Sequence, residues 1–242
     1  MADLQAIVAR VRDALASWRD TPNHNPVPAA AAAPGGNRAE LASLFARELE
    51  AVGGRAIGPI APEELAGCVV ALARERGLKS VALGRGVASD LDNVAQALEA
   101  AGIEVMRTRP IAAGPVAQDP AAAAENKPGK NEFKARMALI DGAVAEADCA
   151  IASTGTLAVL SDADRPSSLT LLPPVSIVVL RIDRIKPDLA GALEAIGPDA
   201  VQAHRLTLIT GPSRTADIEK RIVMGVHGPK SLDAIVIWPR DD

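Results

Sequence analysis

Residues 62–107 read PEELAGCVVALARERGLKSVALGRGVASDLDNVAQALEAAGIEVMR, and this stretch decides the fold class. A helix from Pro62 to Arg76 ends at Gly77, and the short apolar run from Ser80 to Gly84 has strand character. Ser89 and Asp92 open a second helix to Gly102, and Ile103 to Arg107 closes the unit as another strand. Strands alternating with helices of about a dozen residues are the pattern of a parallel sheet joined by crossover helices. The expected architecture is α/β: a mostly parallel sheet with crossover helices on both faces.

Upstream, Asn37 and Glu40 have capping-box spacing, and Leu41, Leu44, Phe45, Leu49 and Val52 form the apolar stripe of a helix that stops at Gly53-Gly54. Leu4, Ile7, Val8, Val11, Leu15 and Trp18 predict an amphipathic N-terminal helix. Between the two, Pro22, Pro26, Pro28 and Pro34 surround an alanine run that buries too little apolar surface to order itself. Residues 1–36 are therefore expected to be a helical extension with a linker, and residues 37–242 the main domain.

Downstream, residues 109–130 break the rhythm with Pro110, Gly114, Pro115, Pro120, Pro128 and Gly129, as a lid, a binding loop or a disordered excursion does. Phe133, Met137, Ile140 and Val144 predict a helix from Asn131 to Glu146. Strands are expected at Cys149 to Ala152, Leu157 to Leu160, Ser176 to Leu180, Leu206 to Thr210 and Ala234 to Trp238. Helices are expected near Pro187 to Ile196 and from Ala216 to Met224.

Composition narrows the partners. The chain of 242 residues has 26 Lys+Arg against 30 Asp+Glu, no Tyr, two Phe and two Trp, which leaves neither the basic patch nor the stacking surfaces that nucleic-acid binding uses. The longest apolar run, Val175 to Leu180, is interrupted by Ser176 and is far shorter than the roughly 18 residues of a membrane span. Met1-Ala2-Asp3-Leu4 lacks an apolar signal core, so a cytoplasmic protein is expected. Cys68 and Cys149 are too few for an iron–sulfur cluster or a four-cysteine zinc site, and His24, His204 and His227 lack metal-ligand spacing. No metal or cofactor is expected on this chain.

Two segments carry candidate chemistry. Thr154-Gly155-Thr156 follows a buried strand and reads two ways: an anion or carbonyl-oxygen site made by the Gly155 amide and two hydroxyls, or a tight turn using glycine for a positive φ. Gly211-Pro212-Ser213-Arg214-Thr215-Ala216-Asp217-Ile218-Glu219 reads as a strand end, a turn and a helix start, a cradle for phosphate or carboxylate in which Arg214 stands beside the positive end of a helix dipole. The simpler reading makes Ser213 or Thr215 a helix cap, with Asp217 and Glu219 complementing the dipole. His227, in Gly225-Val226-His227-Gly228-Pro229, is either a general acid or base or a turn histidine bonding a carbonyl. Asp217, Glu219 and His227 are the clustered catalytic candidates.

Ala152-Ser153-Thr154-Gly155-Thr156, Leu171-Leu172-Pro173-Pro174, Gly211 to Glu219 and Gly225 to Pro229, in this order, resemble the lactate utilization protein C family, the LUD domain, over roughly residues 37 to 240. The resemblance implies a NagB/RpiA/CoA transferase-like fold, akin to sugar-phosphate isomerases, CoA transferases and formyltetrahydrofolate cyclo-ligases. It implies a role beside iron–sulfur partner proteins in oxidising L-lactate to pyruvate, with the clusters on those partners. Where that family often carries a His after the Pro-Pro pair, this chain has Ser176. Three functions follow as expectations: an accessory or ligand-binding subunit with an anionic small-molecule site; a stand-alone enzyme on a CoA-linked, phosphorylated or folate substrate; or a small-molecule sensor acting through residues 109–130.

Overall fold

The computed structural model describes residues 36–84, 91–108, 133, 135–162, 165–203, 205–216, 222–224 and 228–239. The expected N-terminal helix, its linker and the 109–130 segment lie outside them. In chain order the elements are α1 (Arg38–Ala51), β1 (Arg55–Ile60), α2 (Leu65–Glu75), β2 (Ser80–Leu83), α3 (Leu91–Ala100), β3 (Glu104–Arg107), β4 (Gly142–Glu146), β5 (Cys149–Ile151), β6 (Thr156–Ser161) and α4 (Ser168–Leu171). They continue as β7 (Val175–Arg181), β8 (Ile185–Lys186), α5 (Leu189–Gln202, interrupted at Gly197), β9 (Arg205–Ile209), β10 (Arg214–Ala216), β11 (Ile222–Met224) and β12 (Ser231–Ile237).

Six strands form an all-parallel sheet in the order β1-β12-β7-β4-β2-β3. Period-two alternation divides its side chains between two faces. Val81, Leu83, Val144, Ile177, Val179 and Ile235 pack with Val69 of α2 and Val94 and Leu98 of α3. Val178, Leu180, Ala234 and Val236 point the other way, to Phe45 and Leu49 of α1 and to Ala150, Leu157 and Val159 of a second sheet. That second sheet runs β8-β5-β6-β9, with β6 antiparallel to both β5 and β9. The α/β reading with a mostly parallel sheet is what the chain adopts. The capping box at the start of α1 is present, with Asn37 Oδ1 accepting from the Ala39 and Glu40 amides and Glu40 accepting from the Asn37 amide.

Three expectations are corrected. Helical structure after Phe133 ends at Met137, and Gly142–Glu146 is a fully buried strand between β2 and β7, not the end of a helix. The entry to β4 is fixed by Asp141: one carboxylate oxygen accepts from the Lys79 and Ser80 amides and the Ser80 hydroxyl, and the Asp141 amide donates back to Ser80. These bonds hold the Asp141 pKa below its ordinary value, although burial alone pushes it up. The expected helix over Ala216 to Met224 is replaced by an antiparallel pairing of β10 with β11, Thr215 opposite Val223. Arg55–Ile60 is a strand where no element was expected; its Gly58-Pro59 pair is accommodated at a register shift on the sheet edge, where a missing amide proton leaves no ladder bond unmade. Among the described residues no helix is long and apolar enough to cross a membrane.

Candidate functional site

The Thr154-Gly155-Thr156 turn meets Thr210, the residue just before the second segment, although 54 residues separate Thr156 from Thr210. Thr154 and Thr156 hydroxyls lie 2.7 Å apart, and Thr156 lies 2.7 Å from Thr210. Three hydroxyls joined by two bonds leave one proton to donate outward, at Thr154 or at Thr210, and both of these residues are exposed. Gly155 takes a left-handed φ of +60°, and a Cβ there would run into the α1 backbone at Glu48 and Leu49. Gly211, at φ +82°, makes a similar approach, its Cβ position 2.8 Å from the Val52 carbonyl oxygen. The tight-turn reading of Gly155 therefore has a packing reason, and its amide is directed to the Ala152 carbonyl at 3.4 Å.

Arg214 is not at a helix start. Its Nη2 donates to the Val52 carbonyl at 2.7 Å, at the C-cap of α1, where a cation and a donor are both favoured. Arg214 thus faces the negative end of a helix dipole, not the positive end expected from sequence. Pro212 is buried, and the Ser213 amide donates to the Pro229 carbonyl at 2.8 Å. Thr215 lies in β10. Asp217, Glu219 and His227 lie outside the described residues, as do His24 and His204.

A second location follows from topology. From β2 the chain moves outward to β3 through α3, whose Val94 and Leu98 pack on one face. It then returns to β4 on the far side of β2, and Phe133 and Met137 from that return pack on the opposite face with Ala82, Ala143 and Ala145. The direction of winding thus reverses between β2 and β4, and in open α/β sheets ligands bind in the crevice outside the strand ends at such a point. A narrow cleft, whose enclosed room is about that of one water molecule, lies there, between Gly84 after β2, Ala145 and Glu146 of β4, Ser161 of β6, and Arg165, Leu169 and Thr170 beyond it.

The charged groups of this cleft are built in. Glu146 is 7% exposed, and Ser161 and Thr170 are buried. Arg165 Nη1 donates to Asp148 at 2.8 Å and its Nε to Asp162 at 3.1 Å, while the other oxygen of Asp148 accepts from the Leu160 amide at 2.7 Å. Burial lowers the pKa of Arg165, but Asp148 and Asp162 outweigh it and hold the guanidinium above the ordinary arginine value. Sequence reasoning missed Glu146, Ser161, Arg165 and Thr210. The available signal was the lone carboxylate in the small apolar run Ala143-Val144-Ala145-Glu146-Ala147. Cys149 is buried and Cys68 half-buried, and burial pushes both thiols up, as in packing residues and unlike activated nucleophiles. Among the described residues no cluster of His, Cys, Asp or Glu could hold a metal ion.

An open parallel sheet covered on both faces, with a polar cleft at its switch point, places the chain among the doubly wound α/β proteins. The family model for the LUD domain matches residues 42–237, and the chain belongs to that family. An uncharacterized protein of Neisseria meningitidis serogroup B is 37% identical over 103 residues, 41% of this chain and 43% of its own length. Lactate utilization protein C of Oceanobacillus iheyensis is 30% identical over 101 residues, 40% of this chain and 43% of its own length. The chain spans about half the length of the curated relatives it matches. A solved DUF162 family protein from Deinococcus radiodurans superposes with a TM-score of 0.58 at 21% identity, covering 84% of this chain and 99% of that one, a likeness of fold.

Proposed function

We propose that this chain serves lactate utilization as an accessory, ligand-binding subunit beside iron–sulfur partner proteins, with its ligand in the switch-point cleft. The pathway is supported by family membership and by the name of the Oceanobacillus relative. The accessory role is supported by thiol count: Cys68 and Cys149 cannot ligate a four-thiolate cluster, so the iron–sulfur clusters of such a system belong on other chains. The observation that carries ligand binding is the coincidence of a polar cleft with the reversal of winding between β2 and β4.

The test is thermal unfolding of the full chain with lactate, pyruvate, CoA, sugar phosphates and formylated folate. A ligand at about 100 times its Kd adds about 2.7 kcal/mol. At about 2–4 °C per kcal/mol for a domain of this size, the midpoint rises by about 5–11 °C. A shift diminished by Arg165→Lys supports the cleft. No shift with any compound removes the ligand-binding reading, and turnover of a CoA ester or folate by the chain alone favours an enzyme over an accessory subunit. The outward proton of the Thr154–Thr156–Thr210 line favours a second reading, with a small anion held there beside Arg214. In that case Arg214→Ala abolishes the shift and Arg165→Lys leaves it intact.

A further inference from the structure

The outer strands of the two larger sheets differ in how their free edges are guarded. Gly58 and Pro59 of β1 are exposed at a register shift, β3 is four residues long with Glu104 and Arg107 exposed, and β8 is two residues long. Proline, irregular register, charge and short length are the features that keep an edge strand from pairing. β9 has one charge, Arg205 at its start, and then runs on as Leu206-Thr207-Leu208-Ile209 in unbroken register with β6; no described strand pairs with its other side. Leu208 is 46% exposed, whereas Leu206, two residues back and so on the same face, packs with Leu160, Ile196 and Ala203. Thr207 lies between them on the opposite face, and its Oγ1 is buried with no hydrogen-bond partner.

We propose that the outer edge of β9 is the interface with a second copy of this chain, the two β9 strands pairing antiparallel about a two-fold axis at Thr207 and joining their four-stranded sheets into one. The occupant follows from β9 being complementary to its own reverse. In this register Leu206 of each copy opposes Leu208 of the other, so the exposed leucine continues the apolar layer that Leu206 already belongs to. Arg205 opposes Ile209, and the two arginines stand four residues apart, about 14 Å, which is beyond the Debye length of about 8 Å. A parallel in-register pair would instead set arginine beside arginine, a like-charge contact. Thr207 faces its own copy across the axis, where a turn about χ1 lets one hydroxyl donate and the other accept, which gives the unpartnered oxygen its bond. The two-fold uses each edge once and closes, so the pairing does not propagate into a fibre.

Sedimentation velocity of the full chain over a concentration series, together with cross-linking through introduced cysteines, tests the assignment. The unmutated chain is expected at twice the chain mass. Leu208→Lys sets an ammonium group against Leu206 of the other copy from a position already open to solvent, and should run at the chain mass with an unchanged circular dichroism spectrum. Directly opposed residues of an antiparallel pair have Cβ atoms about 4.5–5.5 Å apart, close to the roughly 3.5–4.5 Å of a disulfide. Thr207→Cys should therefore form a reducible covalent dimer under mild oxidation, and Arg205→Cys, about 14 Å from its copy, should not. The unmutated chain, with its own Cys68 and Cys149, sets the background. The two cysteine variants decide the register even where Leu208→Lys does not fold. A dimer indifferent to Leu208→Lys overturns the proposal and moves the interface elsewhere. Cross-linking that is equal at the two positions, or absent from both, overturns the register. A monomer at every concentration overturns the proposal as well, and leaves this edge to a foreign strand or to another segment of the chain.

Discussion

Gly155→Ala separates packing from ligand binding at the Thr154-Gly155-Thr156 turn. Placing a Cβ on a left-handed φ of +60° costs about 1 kcal/mol. In addition, that Cβ meets the α1 backbone at Glu48 and Leu49, which cannot rotate aside as a side-chain tip can. Overpacking of this kind costs about 1–3 kcal/mol, for a sum of about 2–4 kcal/mol. Gly77 is the matched control, with φ +66° and open space around its Cβ position, so Gly77→Ala carries the dihedral cost of about 1 kcal/mol alone. At about 2–4 °C per kcal/mol, the midpoint should fall by about 4–16 °C for Gly155→Ala and by about 2–4 °C for Gly77→Ala. Differential scanning calorimetry of the two variants against the parent reads the difference. Equal drops would refute the claim that α1 is seated on this glycine.

Three further outcomes follow from the same geometry. Arg214→Ala removes the donor and the cation from the C-cap of α1 and should lower stability by about 0.5–1.5 kcal/mol in urea unfolding, with no change if Arg214 lacks the Val52 bond in solution. Asp141 has a folded pKa below its unfolded value of about 3.9, so its contribution is complete above that pH and is lost as pH falls through the folded value. The midpoint of Asp141→Asn should therefore lie below that of the parent at pH 7, and the gap should close in acid; a gap independent of pH contradicts the assignment. Asp233 is fully buried in β12 and accepts from Arg76 at 2.7 Å, with Arg55 3.4 Å away. Breaking such a pair costs about 3–5 kcal/mol when both groups are buried, and because the arginines keep some solvent Asp233→Ala should fall toward the lower value, read as a urea midpoint.

The α2-β2-α3-β3 unit was legible because each element is punctuated where physics requires it: Pro62 at the start, Gly77 and Gly102 at the helix ends, the apolar run of Ser80 to Leu83 between them and Val105-Met106 after the second. The β4 strand was hidden because Phe133, Met137, Ile140 and Val144 keep helical spacing across a boundary that only the Asp141–Ser80 bonds mark, and those bonds join residues 61 apart. The pairing of β10 with β11 was hidden by an acidic stretch that resembles a helix start, while the β-branched residues Thr215, Ile222 and Val223 favour extended backbone once a partner strand is present. The Thr154-Gly155-Thr156 turn was legible as a turn after a buried strand, but its bond to Thr210 was not, because the two residues are 54 apart. The cleft was not, since it exists only because β2 and β4 are neighbours and β3 is not between them, and strand order is not written in sequence order.

The strand β6 joins the two candidate locations and assigns them different work. At its start, Gly155 and Thr156 are fixed against α1 and Thr210, so the hairpin of β5 and β6 cannot shift along the sheet without dislodging the helix. At its other end, the Leu160 amide holds Asp148, and Asp148 in turn holds Arg165 at the edge of the cleft. A six-residue strand is stiff over its length of about 20 Å. The apolar seat of α1 therefore sets where the guanidinium stands, although α1 is not among the elements that line the cleft. A charge held this way loses little freedom when a carboxylate meets it, because two carboxylates behind it have already removed its rotamers. The sequence motif at the turn and the polar groups of the cleft are thus separate residues: the first supplies the rigidity on which the proposed ligand site rests.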